Sequence, residues 1–505
     1  MSTIRRQSII SSGIIYFGFA LGFFNTYLFA RYFTQAEYGL IGTFIAIANI
    51  MFSFANLGMV AYIHKFYPYY SDNLKPGEND MLTVALLICI LGFILVVTGG
   101  IVFKDLVIRK FGEHSGDLVK YYYWTFPFGL GLTMYNLAEA FAWQLKKSIL
   151  TNFLREIQFR ILATVLILLL IAGALRNFDV FIKLYALTYL VLGLGLFAYL
   201  LLSRKAFLAL RLSRVTRKFY KKISTLALLV WSGGLVYNIS FFFAPIVIAA
   251  VVKDGLAYAG VFILAQNIAS LIQAPQRGII AASLGPLSRA WKDKDFQKIN
   301  RIYHRSSINQ LIFATGMFVL IWINFSDGVL SFHLQKGYLP ARYVFLFIGL
   351  TRIVDMGTGV NSQIISTSTF WRFDFFTGII LLALTLPLNY LLTKEWGAIG
   401  PAVSDLIAFS IYNGIRYFFL LKKFNMQPFT LKSVYTVLLG LAGFLICHYL
   451  FHQYIGIRWI FLRSLVFLAF YVGAVIALNL SPDVLPVWES VKKRLGIGSG
   501  NGHGV

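Results

Sequence analysis

Arg352 and Asp355 stand three positions apart inside an apolar run, on one helical face. Ionised groups at such a place are costly unless they face protein or water, so they raise a functional question at once. A guanidinium can grip phosphate or carboxylate oxygens two at a time. A carboxylate can hold a proton or a cation. Gly359 and Gln363 continue the same stripe. Two readings stay open: a mutually neutralised pair that joins helices, or a pair lining a hydrated cavity. A second polar face carries Gln266, Ser270, Gln273 and Arg277 at helical spacing, interrupted by Pro275. Arg277 is nearer one end of its run, where a long stem can snorkel to the interface. Asn49, Ser53 and Asn56 repeat the pattern in milder form. Asp405, Tyr412 and Arg416 share a further face; Asp405 is the deeper, and Arg416 reads as interfacial. The resulting expectation is a cavity set of Arg352, Arg277, Gln273, Gln363, Gln266, Asn49 and Asn56, with Asp355 and Asp405 as ion-coupling carboxylates.

Other charged clusters read differently. Glu139, Arg155, Glu156 and Arg160 gather near one end of two apolar runs, and Glu156 with Arg160 has the i,i+4 spacing of a structural ion pair. His448 and His452 share a helix face beside Cys447, but no third ligand follows at a usable spacing, so no metal is expected. There is no GxxxxGK[ST] phosphate loop, and no cofactor is expected.

The elements that must position these residues are membrane helices. Of 505 residues, 58% are hydrophobic and 13% charged. Fourteen apolar segments fill the chain: 9–31, 38–63, 81–103, 118–144, 153–175, 179–202, 223–252, 257–283, 303–325, 339–366, 374–393, 397–421, 431–453 and 460–480. A bilayer crossing takes about 20 apolar residues. Arg352 lies about 12 residues into segment 10, roughly 18 Å deep. The connections are too short to hold a soluble domain. The first run is too long for the apolar core of a cleavable signal and reads as the first crossing. The formal charge of +25 distributes by side. With both termini cytoplasmic, inner stretches hold 28 Lys and Arg and outer stretches 13; four (Arg160, Arg277, Arg352, Arg416) lie within segments. That bias is the positive-inside pattern, and it marks topology and anionic-lipid contact rather than a nucleic-acid surface.

The chain also repeats. At an offset of 218, Gly42, Phe44, Asn49 and Ile50 fall on Gly260, Phe262, Asn267 and Ile268, and Gly131-Leu132-Thr133 on Gly349-Leu350-Thr351. Six segments per copy is even, so both copies keep one orientation. The expected fold is an all-α polytopic membrane protein of 14 transmembrane helices, two six-helix lobes in parallel repeat plus two C-terminal helices. Its parts are an N-lobe (1–202), a basic linker (203–222), a C-lobe (223–422), segments 13 and 14 (423–480) and a cytoplasmic tail (481–505). The linker mixes cations with Phe207, Leu208, Leu210, Leu212 and Phe219, as a helix lying on the membrane surface would.

Local motifs narrow the class. Arg31-Tyr32-Phe33-Thr34-Gln35-Ala36-Glu37-Tyr38-Gly39 resembles an opening "L-x-x-x-E-Y-G" turn. Phe66-Tyr67-Pro68 is similar to an "R-[YF]-x-P" exit from helix 2, with Lys65 and Phe66 where arginine is common. Pro275 and Gly285-Pro286-Leu287-Ser288 resemble a "P…P-x-[IL]-S" pattern. Over about residues 5 to 480 the chain resembles the multidrug/oligosaccharidyl-lipid/polysaccharide exporter superfamily, in its polysaccharide-export (Wzx-type) flippase branch, with MurJ-type lipid II flippases next. The resemblance implies a non-enzymatic flippase of the bacterial cytoplasmic membrane. Its partners would be a lipid-linked oligosaccharide on undecaprenyl diphosphate, membrane lipids and glycan polymerase or assembly proteins. A multidrug or cation antiporter of the same superfamily is the first alternative; it favours a carboxylate-dominated cavity, against which Arg277 and Arg352 lean. A membrane glycan polymerase or ligase is the second, and it needs a larger outer loop than 104–117.

Overall fold

The computed structural model describes residues 3–204 and 206–483. The expected tail beyond 483 lies outside the described residues. Among those described, the chain is helical and has no strand. Every one of the fourteen apolar segments has a helical counterpart, and the protein is an all-α, multi-pass membrane protein. Among the described residues, nine helices are long and apolar enough to cross a membrane. The other five segments (4, 5, 8, 10 and 12) are those carrying Glu139, Arg155, Gln273, Arg352 and Asp405.

The chain packs as two units, Met1–Ile263 with Asn389–Ala398, and Leu264–Leu388 with Ile399–Val505. The first contains α1 (Thr3–Tyr32), α2 (Gln35–Ala55), α3 (Met59–Asn73), α4 (Met81–Val102), α5 (Lys104–Phe111), α6 (Gly116–Lys120), α7 (Thr125–Gln144), α8 (Ser148–Asn152), α9 (Phe159–Ile171), α10 (Phe178–Leu202) and α11 (Arg214–Val251). Here α7 packs on α10, and α2 packs on α11, α7 and α4. Tyr62, Tyr70, Tyr135, Phe141 and Leu196 lie in one of its apolar cores.

α12 (Gly255–Ala269) begins in the first unit and ends in the second. The second unit holds α13 (Gln276–Lys292), α14 (Phe296–Ser331), α15 (Ala341–Gly357), α16 (Asn361–Ser366), most of α17 (Trp371–Trp396), α18 (Ile399–Phe424), α19 (Leu431–Phe451) and α20 (Ile457–Ala477). α15 packs on α18 and α14, while α19 and α20 pack on each other and on α14. At the 218-residue offset the boundaries of α1 to α10 fall near those of α11 to α18. The breaks recur too. Segment 2 breaks at 56–58 between α2 and α3, and segment 8 at 270–275 between α12 and α13.

Each break has a local cause. Gly58 sits at φ +78°, and an added Cβ would lie 2.3 Å from the Ala227 carbonyl oxygen, so only glycine fits. Asn56 Oδ1 then accepts the Val60 N–H at 3.1 Å. In segment 8 the chain tightens before Pro275: Leu271, Ile272 and Gln273 each donate to the carbonyl three residues back. Pro275 has no N–H to continue the ladder. Segment 10 breaks at 358–360 around Gly359, φ +63°. Ser306 Oγ of α14 accepts the Val360 N–H there at 3.3 Å, and the Ser307 hydroxyl donates to the Gly357 carbonyl.

The basic connection differs from the surface helix expected over 203–222. Residues 206–213 are not helical, and Arg214 opens the 38-residue α11. Ser213 caps it, accepting the Thr216 N–H at 3.2 Å. Asp80, buried, accepts from Ser213 N (3.0 Å) and Thr216 Oγ1 (2.7 Å). That clamp fixes the helix start where amphipathicity alone suggested a free surface helix. Residues 104–117, expected as a connection, hold α5 and the start of α6; Ser115 Oγ donates to the Ala249 carbonyl at 2.6 Å.

Candidate functional site

The broken helices of the second unit converge on Asp355, in the last turn of α15. Its Oδ2 accepts from Gln276 Nε2 at 3.0 Å, from the first turn of α13. Its Oδ1 accepts from Asn413 Nδ2 of α18 at 3.3 Å. Asn413 Oδ1 in turn accepts from Thr358 Oγ1 (3.0 Å) inside the α15–α16 break and from Asn361 Nδ2 (2.9 Å) at the start of α16. One amide thus ties α18 to both halves of a broken segment. Buried polar groups need such partners, and here neutral amides supply them.

Arg352, one turn before Asp355, is 8% exposed. Among the described residues its guanidinium has no carboxylate within 4.0 Å, and its Nε is buried without a hydrogen-bond partner. The direct Arg352–Asp355 pair suggested by the i+3 spacing does not form, because Gln276 and Asn413 occupy the acid. Arg352 instead interacts electrostatically with Asp405 of α18, whose Oδ1 is buried and unpartnered. Arg416 is 2% exposed rather than interfacial. It pairs with Asp374 of α17, donates from Nε to Thr377 Oγ1 at 3.1 Å, and stacks on the Tyr412 ring at 3.8 Å. Asp374 also accepts from Ser362 Oγ at 3.3 Å.

The first unit builds a different polar cluster. Residues 153–158 form a π-helical turn, which shifts the face that side chains present. Arg155 reaches α7, pairing with Glu139 at 3.0 Å, donating to Asn136 Oδ1 and lying over the Tyr135 ring. Glu156 pairs with Arg160 at 3.0 Å, as the i,i+4 spacing suggested. Asn25 of α1 donates to the Arg160 carbonyl at 2.9 Å. A second network starts at Tyr62, which donates to Tyr70 at 2.7 Å; Tyr70 meets Thr216 at 2.7 Å, and Thr216 meets Asp80. Burial pushes the Tyr70 phenol above its ordinary range.

The residues picked from sequence therefore fall into three groups. Asp355, Arg352 and Asp405 belong to the α15–α18 region of the second unit. Gln266, Gln273 and Gln363 are half-buried on α12, at the α12–α13 break and on α16, and Arg277 is exposed on α13. Asn49 and Asn56 lie in the first unit and serve its backbone: Asn49 Nδ2 donates to the Ile45 carbonyl at 2.7 Å, and Asn56 caps the break. Sequence reasoning missed Gln276, Asn413, Thr358, Asn361 and Asp374. Asn413 carried a usable signal, eight residues after Asp405 and three before Arg416 on the same stripe.

A multi-pass bundle with interrupted helices and charges at its breaks is a transporter-type architecture. Comparison with protein-family models finds no match, and neither does comparison with curated proteins. Solved structures do match. The structure "Lipid II flippase MurJ, inward closed conformation" is 16% identical, with 93% of this chain and 99% of that chain covered and a TM-score of 0.72. An inward-facing multidrug resistance MATE family transporter of the MOP superfamily is 14% identical, with coverages of 81% and 96% and a TM-score of 0.63. A MOP superfamily transporter from Pyrococcus furiosus, described as having a binding pocket of reverse polarity that suggests a different function, is 15% identical, with coverages of 82% and 96% and a TM-score of 0.51. At these identities the likeness establishes that the chain shares this fold.

Proposed function

We propose that this protein is a flippase that carries a lipid-linked oligosaccharide, held by its diphosphate, across the bacterial cytoplasmic membrane by alternating access. The observation that carries the reading is Arg352, a buried guanidinium with a donor left over and no carboxylate within 4.0 Å among the described residues. A diphosphate cannot cross hydrocarbon unaided, while its lipid tail need never leave it. An arginine with free N–H groups compensates phosphate oxygens in the way an already paired one cannot. Arg277 is the second cation of the clamp, and Gln266, Gln273 and Gln363 offer amides to sugar hydroxyls. Asp405 and Asp355 are the ion-coupling carboxylates. Asp405 is the better proton carrier, since its unpartnered Oδ1 has room for a proton. The same fold occurs in a lipid II flippase and in multidrug transporters, so the unpaired Arg352, not the fold, argues for an anionic head group. Both termini are read as cytoplasmic from the charge bias.

The test is export of the lipid-linked glycan in cells that depend on this chain. Arg352→Ala abolishes export while the protein still accumulates. Arg352→Lys restores it in part, because the charge returns without the bidentate fork. Asp355→Asn, which keeps one oxygen for Gln276 or Asn413, leaves abundance intact and removes the ion dependence of transport. Normal export by the Arg352→Ala, Arg277→Ala double variant sinks the clamp and returns the drug-antiporter reading.

A further inference from the structure

The second unit contains a small cavity, of about 220 Å³, none of whose lining residues belongs to the Asp355 and Arg352 cluster. It is lined by Trp322 and Asp327 of α14, Arg342 of α15, His448 of α19, His452 just beyond it, and Arg463 of α20. The charge bias of the sequence assigns these helix ends to the outer side. Arg463 is fully engaged: it pairs with Asp327 at 2.8 Å and donates to the carbonyls of Ile323 (2.6 Å) and Tyr454 (2.9 Å). That pair is internally neutral and occupies the one carboxylate among the lining residues. Arg342 is not engaged in this way. Its guanidinium carbon lies over the Trp322 ring, 4.4 Å from the centroid, and its Nε is buried without a hydrogen-bond partner. Among the described residues no carboxylate lies within 4.0 Å of it. His448 and His452 are exposed, with ring centroids 5.8 Å apart. Cys447 turns away, its thiol directed to the Arg463 carbonyl at 3.8 Å.

We infer that this cavity is a binding site for a phosphate-class anion, with Arg342 as its fixed cation and His448 and His452 as cations added on protonation. With Arg463 neutralised by Asp327, the unpaired Arg342 guanidinium leaves the cavity a net cation that opposes a metal ion and attracts an anion, so the paired histidines serve charge rather than ligation. The cation–π contact with Trp322 holds the guanidinium in place without using its N–H donors, which stay available to oxygens. A volume of 220 Å³ is below the usual range of about 300–1,000 Å³ for small-molecule sites. It is room for a phosphate or phosphodiester group with a few waters, not for a glycan. Imidazole changes charge between about pH 5 and 8, so occupancy strengthens as pH falls. Asp327 does not offset this, because Arg463 already neutralises it. The anion comes from a lipid head group or from free solute; either has the chemistry described. The site is independent of the flippase reading.

The test uses the full chain in nanodiscs of phosphatidylcholine, titrated calorimetrically with sulfate, whose charge is constant across the pH range used. Binding tightens roughly tenfold from about pH 8 to about pH 6. Arg342→Gln weakens it at least about tenfold at both, and Arg342→Lys falls between. The His448→Gln, His452→Gln double variant keeps the affinity measured at high pH and loses the pH dependence. Repeating the titration in discs containing phosphatidylglycerol identifies the source: loss of sulfate binding marks a lipid head group, and unchanged binding marks a free anion. The inference is overturned if sulfate and phosphatidylglycerol bind the Arg342→Gln and double-histidine variants as they bind the parent chain, with melting temperatures unchanged. Should Arg342→Gln fail to fold, Arg342→Lys and the histidine variant carry the same test.

Discussion

α7 and α15 are equivalent in the repeat, and each presents buried charge, but they resolve it in opposite ways. On α7, Glu139 is 5% exposed and meets Arg155 at 3.0 Å, with Asn136 and the Tyr135 ring completing the guanidinium's surroundings. On α15, Asp355 is met by two neutral amides, and Arg352 keeps a buried donor without a partner. The first arrangement is closed in its ion pairs: every strong charge has its counter-charge in direct contact, though Glu139 Oε1 and Arg160 Nη1 have no hydrogen-bond partner. The second is open, with the acid satisfied and the base not. A closed pair contributes little beyond what would be lost by breaking it, whereas an open cation is a cost that binding can relieve. On the proposed reading, a structural charge has its counter-charge in direct contact, and a functional one leaves a donor for the substrate.

That distinction is breakable by stability. Arg155→Ala strands Glu139 in the first unit, and a broken buried pair costs about 3–5 kcal/mol. Because the Arg155 side chain is 35% exposed, solvent screens part of this, and about 2–3 kcal/mol is expected. Arg352→Ala breaks no direct ion pair and should cost no more than about 1 kcal/mol, while eliminating export. Apparent melting temperatures of the purified variants, set beside export rates, check the contrast. Equal destabilisation by the two substitutions would erase the difference between the clusters.

Much of this was legible in the sequence. Hydropathy located fourteen helical segments, and a constant offset exposed the repeat, because both signals are carried by composition along the chain. The faces bearing Arg352, Asp355 and Asp405 were legible from spacing. Which groups meet across helices was not. Spacing puts Arg352 and Asp355 on one face, but it says nothing of Gln276 and Asn413 arriving from α13 and α18. For the same reason Arg416 looked interfacial, since its partner Asp374 is 42 residues away on α17. The π-helical turn at 153–158 and the break at Asn56–Gly58 were also hidden. Glycine in an apolar run reads as tolerated helix until its φ and the Ala227 carbonyl beside it are known.

The α15–α16 break sharpens the comparison, because it positions the open cluster. Gly359 has φ +63°, and a Cβ there would lie 2.8 Å from Ser306 Oγ and 3.0 Å from Ser307 N. The hydroxyl can rotate away; the backbone nitrogen and the left-handed conformation cannot adapt so cheaply. Gly359→Ala should cost about 1–2 kcal/mol. Because Thr358 and Asn361 flank the break and both bond Asn413, transport should fall further than the stability loss accounts for. Export measured at matched protein abundance decides this; export in proportion to abundance would make the break a packing feature alone.

The smallest effect is expected where charge is both closed and local. Glu156 and Arg160 pair within one helix at 3.0 Å, with side chains 15% and 23% exposed. An i,i+4 pair contributes about 0.2–0.5 kcal/mol. Arg160 also lies over the Phe19 ring at 5.7 Å, so its stem stays packed when the acid is neutralised. Glu156→Gln keeps the side chain's size and an oxygen that can still accept from Arg160. It should therefore shift the melting temperature far less than Arg155→Ala and leave export unchanged. The neighbouring residues make this a stringent control: Arg155 and Glu156 are adjacent on one π-helical turn, yet one reaches α7 and the other bonds within its own helix. A loss from Glu156→Gln as large as that from Arg155→Ala would mean the four charges act as a single network, and the closed cluster would have to be treated as one unit rather than as two independent pairs.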